Sequence, residues 1–186
     1  MDQYGVVEAR DDYEFIAAAE ALTNYQDHID GRVAIMTGTG GHGAMATDIC
    51  SLHGISVPPL TEEEMGDLAP LLSPVIQPIA SLRNPLDLTG SATDDDFIAT
   101  TRFLSRKDNI DCIFALLLPY LPGMSLDVGA RIGMIYQQER KPVVAYVPHV
   151  EKYSLLIEGL KLHNIPVAHS IEDGVHMISA LRRHRK

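Results

Sequence analysis

The chain has 186 residues, enough for one substantial α/β domain or two very small ones. Hydrophobic residues make up 46% and charged residues 22%, the composition of a globular core, and a net charge of −10 excludes a general nucleic-acid binder. No apolar run approaches the length of a membrane span, so no membrane partner is expected.

Strand-like and helix-like stretches alternate along the chain. Gly5 to Ala9 is a short extended lead-in, and Asp11 or Asp12 caps a helix running through Phe15 to Leu22. After a polar turn at 27–31, the run Val33-Ala34-Ile35-Met36 reads as a buried strand and residues 41–53 as a helix. Ile55-Ser56-Val57 reads as a second short strand stopped by Pro58-Pro59. Thr61 and Glu64 form a capping box for a helix reaching about Leu72, which must accommodate Pro70. Residues 75–79 are weakly strand-like, 84–93 a loop and 94–106 a helix. Residues 112–118 form a continuous apolar run suited to a central parallel strand. A helix over 125–140, a strand over 143–147, a helix over 150–163, a short strand over 165–168 and a closing helix over 171–183 complete the pattern. Such repetition predicts a single α/β domain over residues 1–186, doubly wound, with a mainly parallel sheet and helices on both faces.

Cys50 and Cys112 sit in apolar surroundings and read as buried thiols of a reducing compartment rather than a disulfide. Asp2, Glu8, Asp11 and Asp12 give the start none of the character of a secretory leader, so a cytoplasmic location is expected. Arg182-Arg183-His184-Arg185-Lys186 reads as a solvated helix end favoured by the helix dipole.

The most informative segment is Thr37-Gly38-Thr39-Gly40-Gly41-His42-Gly43, between a strand and a helix. The first N–H groups of a helix have no intrahelical partner and carry the positive end of its dipole, and glycines let an anion approach them. Doubly wound sheets gather their ligand loops beyond the carboxyl ends of the strands, which places residues 37–43, 84–90, 119–123 and 148–149 along one edge. A nucleotide P-loop is excluded because Ala44-Met45 stands where Lys-Ser/Thr is required. Gly38-x-Gly40-x-x-Gly43 matches the dinucleotide fingerprint, yet Pro58-Pro59-Leu60 stands where the ribose-binding acid belongs. A flavin loop would want aromatics, which are 6% of the chain with no Trp. There remain an anion cradle for a phosphate carried by another domain and a turn whose glycines serve packing alone.

These residues and four further segments resemble the C-terminal flavodoxin-like (ligase-CoA) domain of the α-part of NDP-forming acyl-CoA synthetases, relatives of succinyl-CoA synthetase. That domain opens with a Gly-Val/Ile segment, matched by Gly5-Val6, and carries a Thr-Asn-x-Gly-Gly-x-Gly loop before a helix with an Asp, matched by residues 37–43 and Asp48. Its Asn-Pro-x-Asp-x-x-Gly motif is matched by Asn84-Pro85-Leu86-Asp87-Leu88-Thr89-Gly90. Its Gly-Ile-Pro-Val segment and acid-led helix are matched by Asn164-Ile165-Pro166-Val167 and Glu172-Asp173, and Lys141-Pro142-Val143-Val144 also fits. The resemblance spans about Gly5 to Leu181. It departs at Gly38, where Asn is usual, and at His42, where a small residue or Pro is usual.

The resemblance implies a flavodoxin-like fold and a part in the reaction acyl-CoA + NDP + phosphate ⇌ acid + CoA + NTP, with a phosphohistidine held between two helix N-termini, one from this domain. It implies Thr37, Thr39, Gly40, Gly41, His42 and Gly43 as the phosphate-binding segment, with Asn84 and Asp87 supporting the loop. Asp87 would serve by bonding to backbone or by accepting from a histidine N–H. His42 is a candidate phosphoryl acceptor, although a helix-terminus cradle needs no side-chain base or nucleophile. The family's Ser-His-Thr-Gly-type phosphohistidine segment, CoA-binding Rossmann domain and ATP-grasp part are missing from this sequence. They are therefore the expected partners, the chain reads as a domain or fragment inactive alone, and ATP/ADP, Mg and CoA would be bound by the complete ligase. A flavodoxin-like binding or assembly module without chemistry is the alternative. His149 is read as structural, the other histidines lack metal-ligand spacing so that no metal site is expected, and Leu121 and Met124, if exposed, would mark a partner surface.

Overall fold

A computed structural model describes residues 6–118, 120–148 and 150–184. The predicted lead-in residue Gly5, the candidate His149 and the last basic residues, Arg185 and Lys186, lie outside the described residues.

Five strands form one parallel sheet in the order β2-β1-β3-β4-β5, the flavodoxin-type winding. They are β1 (Val33–Thr37), β2 (Leu86–Asp87), β3 (Cys112–Leu116), β4 (Val143–Tyr146) and β5 (Val167–Ala168). β1 and β3 are buried along their whole length, as two-sided coverage by helices requires. The register aligns the strand ends in one row: Asp87, Thr37, Leu116, Tyr146 and Ala168 are successive partners.

Helix α2 (Gly40–Leu52) lies against β1 and α7 (Ile171–Arg183), and α1 (Asp12–Asn24) packs along α7 on the same side. Gly174 lets α7 approach the Phe114 ring of β3, where a Cβ would collide. On the other side α4 (Asp94–Ser105), α5 (Val128–Glu139) and α6 (Ser154–Lys161) pack in sequence. α3 (Glu62–Leu68) passes into a 3-10 turn at Ala69–Leu71, which accommodates Pro70. Asp11 caps α1, Thr61 and Glu64 form the predicted box, and Ser170 caps α7. Cys50 and Cys112 are buried free thiols; burial pushes the Cys50 pKa up to about 12 and raises that of Cys112 as well.

Three predicted segments differ. Ile55-Ser56-Val57 is reduced to one parallel bridge, Ser56 to Arg32, because the chain leaves the sheet at Pro58. Residues 75–79 are turns: Ile76 is fully buried while Val75 and Ile79 are exposed, so one side chain anchors the segment and no face alternates. The predicted 84–93 loop contains β2, an edge strand entered through Pro85.

Asp96 ties this edge to α4. Its carboxylate accepts from the Ser73 amide (2.7 Å) and hydroxyl (3.1 Å) and from the Thr93 amide and hydroxyl (both 2.8 Å). Burial acts to raise the carboxyl pKa, but these bonds outweigh it and hold it below the ordinary value. A depressed folded pKa stabilises the fold above the unfolded carboxyl pKa of about 3.9 and loses that contribution as the pH falls through the folded value. Asp96→Asn is therefore expected to lower the unfolding free energy by about 1–3 kcal/mol at pH 7. In urea titrations the gap to wild type should shrink as the pH drops below about 4.

Candidate functional site

β1 runs into α2 through Gly38 and Thr39. The first backbone bond of the helix is Gly43 N–H to Thr39 O at 3.3 Å, and the N-cap Thr39 makes no side-chain bond to the amides that precede it. Gly40 and Gly41 are exposed, and a Cβ on Gly41 would meet nothing within 4 Å. The start of α2 is thus an open set of amides at the positive end of a 13-residue helix.

The other members of the predicted phosphate segment have structural duties. Thr37 is fully buried; its hydroxyl accepts from the Thr39 amide (3.2 Å) and faces the Thr39 carbonyl (3.3 Å), which shapes the turn and takes it out of the cradle. Gly43 is squeezed between Pro85 and Thr37, each 3.3 Å from where its Cβ would stand. A Cβ on Gly38 would lie 2.5 Å from Leu121 Cδ1. Leu121 and Met124 are partly buried and pack against the core, so the predicted partner surface is not theirs. His42 is half-buried, and its ring lies beside Tyr146 with centroids 6.3 Å apart and planes at 28°.

Asn84 and Asp87 separate in role. Asn84 is buried against the body of β1: Oδ1 accepts from the Ile35 amide (2.9 Å), while Nδ2 donates to the carbonyls of Val33 and Pro58 (2.8 Å each). It therefore pairs the strand below the glycine loop and does not touch that loop. Asp87 does border it: Oδ1 accepts from the Thr89 amide (2.9 Å), helping to hold Thr89 at φ 69°, and Oδ2 lies 3.1 Å from where a Gly40 Cβ would stand. A carboxylate there opposes a second anion at the same spot.

The aromatic side of this edge was not expected from the sequence. Besides Tyr146 beside His42, Tyr120 meets Tyr153 edge-on at 5.3 Å. Burial raises the Tyr146 pKa, and Glu172 and Tyr120 add to the rise. The register brings it there, since Tyr146 closes a strand whose end aligns with that of β1 through Leu116, and the sequence carries no sign of that alignment. No group of three or more His, Cys, Asp or Glu among the described residues is placed to hold a metal ion, and no helix among them is long and apolar enough to cross a membrane.

Fold and loop together define a flavodoxin-like α/β domain with an open helix N-terminus at the switch between β1 and β3. No family model matches the chain. It is 32% identical to the α subunit of ADP-forming acetate–CoA ligase II of Pyrococcus furiosus, over 88% of this chain and 37% of that subunit. It is 28% identical to the α subunit of the corresponding ligase I, over 99% and 39%, and 31% identical to ADP-forming acetate–CoA ligase I of Archaeoglobus fulgidus, over 63% and 16%. Among solved structures, PH0766 of Pyrococcus horikoshii OT3 superposes with a TM-score of 0.85 at 27% identity, covering 98% of this chain and 42% of that one. A dinucleotide-forming acetyl-coenzyme A synthetase 1 of Ca. Korarchaeum cryptofilum shares the fold, with a TM-score of 0.84 at 22% identity over 98% of this chain and 40% of that one. The chain is similar to a part of the α subunit of ADP-forming acetate–CoA ligases, and it spans about two fifths of the P. furiosus subunits it matches.

Three substitutions separate packing from access. Asn84→Ala leaves the Ile35 amide and Val33 carbonyl unpaired inside the protein, and is expected to cost about 2–4 kcal/mol in denaturant unfolding. Gly41→Ala should be neutral or stabilising by up to about 1 kcal/mol, whereas Gly38→Ala must displace Leu121 and should destabilise by about 1 kcal/mol.

Proposed function

We propose that this chain is the phosphate-cradling domain of an NDP-forming acyl-CoA synthetase, which interconverts acyl-CoA, NDP and phosphate with acid, CoA and NTP. The observation that carries this reading is the open start of α2, where the amides of Gly40, Gly41 and His42 precede the helix's first backbone bond and nothing stands over Gly41. In the reaction phosphate displaces CoA to give an acyl phosphate, a histidine takes the phosphoryl group and releases the acid, and the phosphohistidine donates to NDP. The role assigned to this chain is to hold the anionic phosphoryl group with preformed N–H donors, which need no reorganisation as charge develops.

CoA, Mg2+ and nucleotide belong, on this reading, to partner modules: a CoA-binding and phosphohistidine part and an ATP-grasp part. The chain's own residues do not fit a dinucleotide, because the segment after α2 leaves the sheet at Pro58-Pro59 without a ribose-binding acid. His42 is turned to Tyr146 and serves as a donor through its amide, not as the phosphoryl acceptor. Asp87 Oδ2, beside Gly40, suits the role of acceptor for the N–H of an incoming imidazole. The same carboxylate is the observation that favours the second reading, a binding or assembly module without chemistry, since it offsets part of the helix-terminal charge.

Gly41→Asp separates the two. It places a carboxylate on the open side of the first helical turn, where it favours the helix but excludes a bound anion. Phosphate titrated into the chain and followed by amide shifts should perturb residues 40–42 in wild type, and the apparent affinity should fall at least tenfold in Gly41→Asp with unchanged thermal stability. Absence of any wild-type shift would remove the cradle and leave the module reading.

A further inference from the structure

The same edge of the sheet carries a second feature beyond β5. A cavity of about 510 Å3 opens between the first turns of α1 and α7, with Tyr13 and Ile16 on one side and His169, Glu172 and His176 on the other. Tyr13, Phe15 and Ile16 are 80%, 66% and 58% exposed, although α1 already buries Ala17, Ala18 and Ala21. Isolated apolar side chains on a surface need no explanation; three large ones on one turn beside a cavity mark a contact surface. The rim is acidic: Asp11 caps α1, Asp173 accepts from the His169 amide, and Glu172 is exposed on the cavity lining. α7 starts after β5 and α2 after β1 of the same parallel sheet, so both first turns lie beyond the carboxyl ends of the strands, and the two helices pack against each other. Cavity and cradle are therefore neighbours along one edge.

We propose that the cavity and the exposed turn of α1 form the docking surface for the phosphoryl-carrying module of the same ligase, which seats an apolar side chain between Tyr13 and Ile16 and sets a Lys or Arg against Asp11 and Glu172. This rests on the function proposed above. Three arguments choose the occupant. Free phosphate and carboxylic acids are repelled by the rim. A second copy in a two-fold pairing would bring two acidic rims face to face. A module that reaches α2 runs along the edge the cavity shares, and a cationic complement to this rim steers that approach.

The test uses as probe the part of the P. furiosus ligase II α subunit outside the matched region, produced as a separate chain and titrated with this protein. Saturable association is expected, weakened at least tenfold by Ile16→Lys and about threefold by Glu172→Gln, with Glu172→Gln also flattening the salt dependence. Ile16 is exposed, so Ile16→Lys should keep its melting temperature and its phosphate-induced shifts at residues 40–42. Equal association of wild type and Ile16→Lys, or none by wild type, overturns the docking surface. So does a wild-type dimer that Ile16→Lys dissociates, since the occupant is then a second copy. Docking that responds to Ile16→Lys in a protein showing no phosphate shifts leaves the surface standing and removes the cradle. Phosphate shifts in a protein whose docking ignores Ile16→Lys do the reverse.

Discussion

β1 is buried on both faces, so every polar group of its backbone must be paired inside the protein, and the site hangs on how that is done. One edge is met by β3 along its whole length, from Val33–Cys112 to Thr37–Leu116. The other edge is met by β2 only at Met36 and Thr37. Below that point the Asn84 side chain bonds to Ile35 and Val33, and the Ser56 carbonyl accepts from the Val33 amide. An unpaired buried amide or carbonyl costs about 1–3 kcal/mol, so this patchwork edge is obligatory. It also decides where the 84–90 segment lies, and hence why Asp87 ends beside the glycine loop.

From there the turn into α2 is constrained on every side. Pro85 and Thr37 crowd Gly43, and Leu121 crowds Gly38. Two of the glycines thus serve close packing, as the plainest reading of the loop would have it. Gly41 is different: with nothing within 4 Å of its Cβ position, packing does not require a glycine there, and an open approach to the amides does benefit from one.

Much of this was legible in the residue pattern. The strand–helix alternation predicted β1, α2, β3, β4 and α7 nearly to the residue, because long buried strands and capped helices carry their own periodicity. β2 was not legible, since a two-residue edge strand preceded by proline exists only through its pairing with β1. Residues 75–79 misled because their apolar character comes from one buried anchor, Ile76. At the site, the motif pointed to the open helix start, but the duties of Thr37 and Asn84 depend on atoms far apart in sequence. Leu121 and Met124 would have marked a partner surface if exposed, but the glycine loop and the core absorb them; Tyr13, Phe15 and Ile16 on α1 are among the exposed large apolar residues, and the capping signal of Asp11 does not reveal that face.

On the proposed reading of the α2 start as a phosphate cradle, the charge balance explains why it would be half a site. A helix N-terminus stabilises an anion by about 0.3–1 kcal/mol at an exposed position and up to about 2 when partly shielded. A solvated like charge about 10 Å away opposes it by about 0.4 kcal/mol before salt screening. Asp87 lies beside the cradle and the chain as a whole carries −10, so a single helix in open water holds a phosphate dianion weakly, enough for amide shifts at high phosphate but not for retention. Burial between two helix starts changes the sum, because each contributes its donors while solvent and its screening are removed. A second module closing over α2 would then bind together with the phosphoryl group more strongly than either binds alone, and its cationic side chains against the acidic rim of α1 and α7 would offset the charge that the phosphate meets at Asp87.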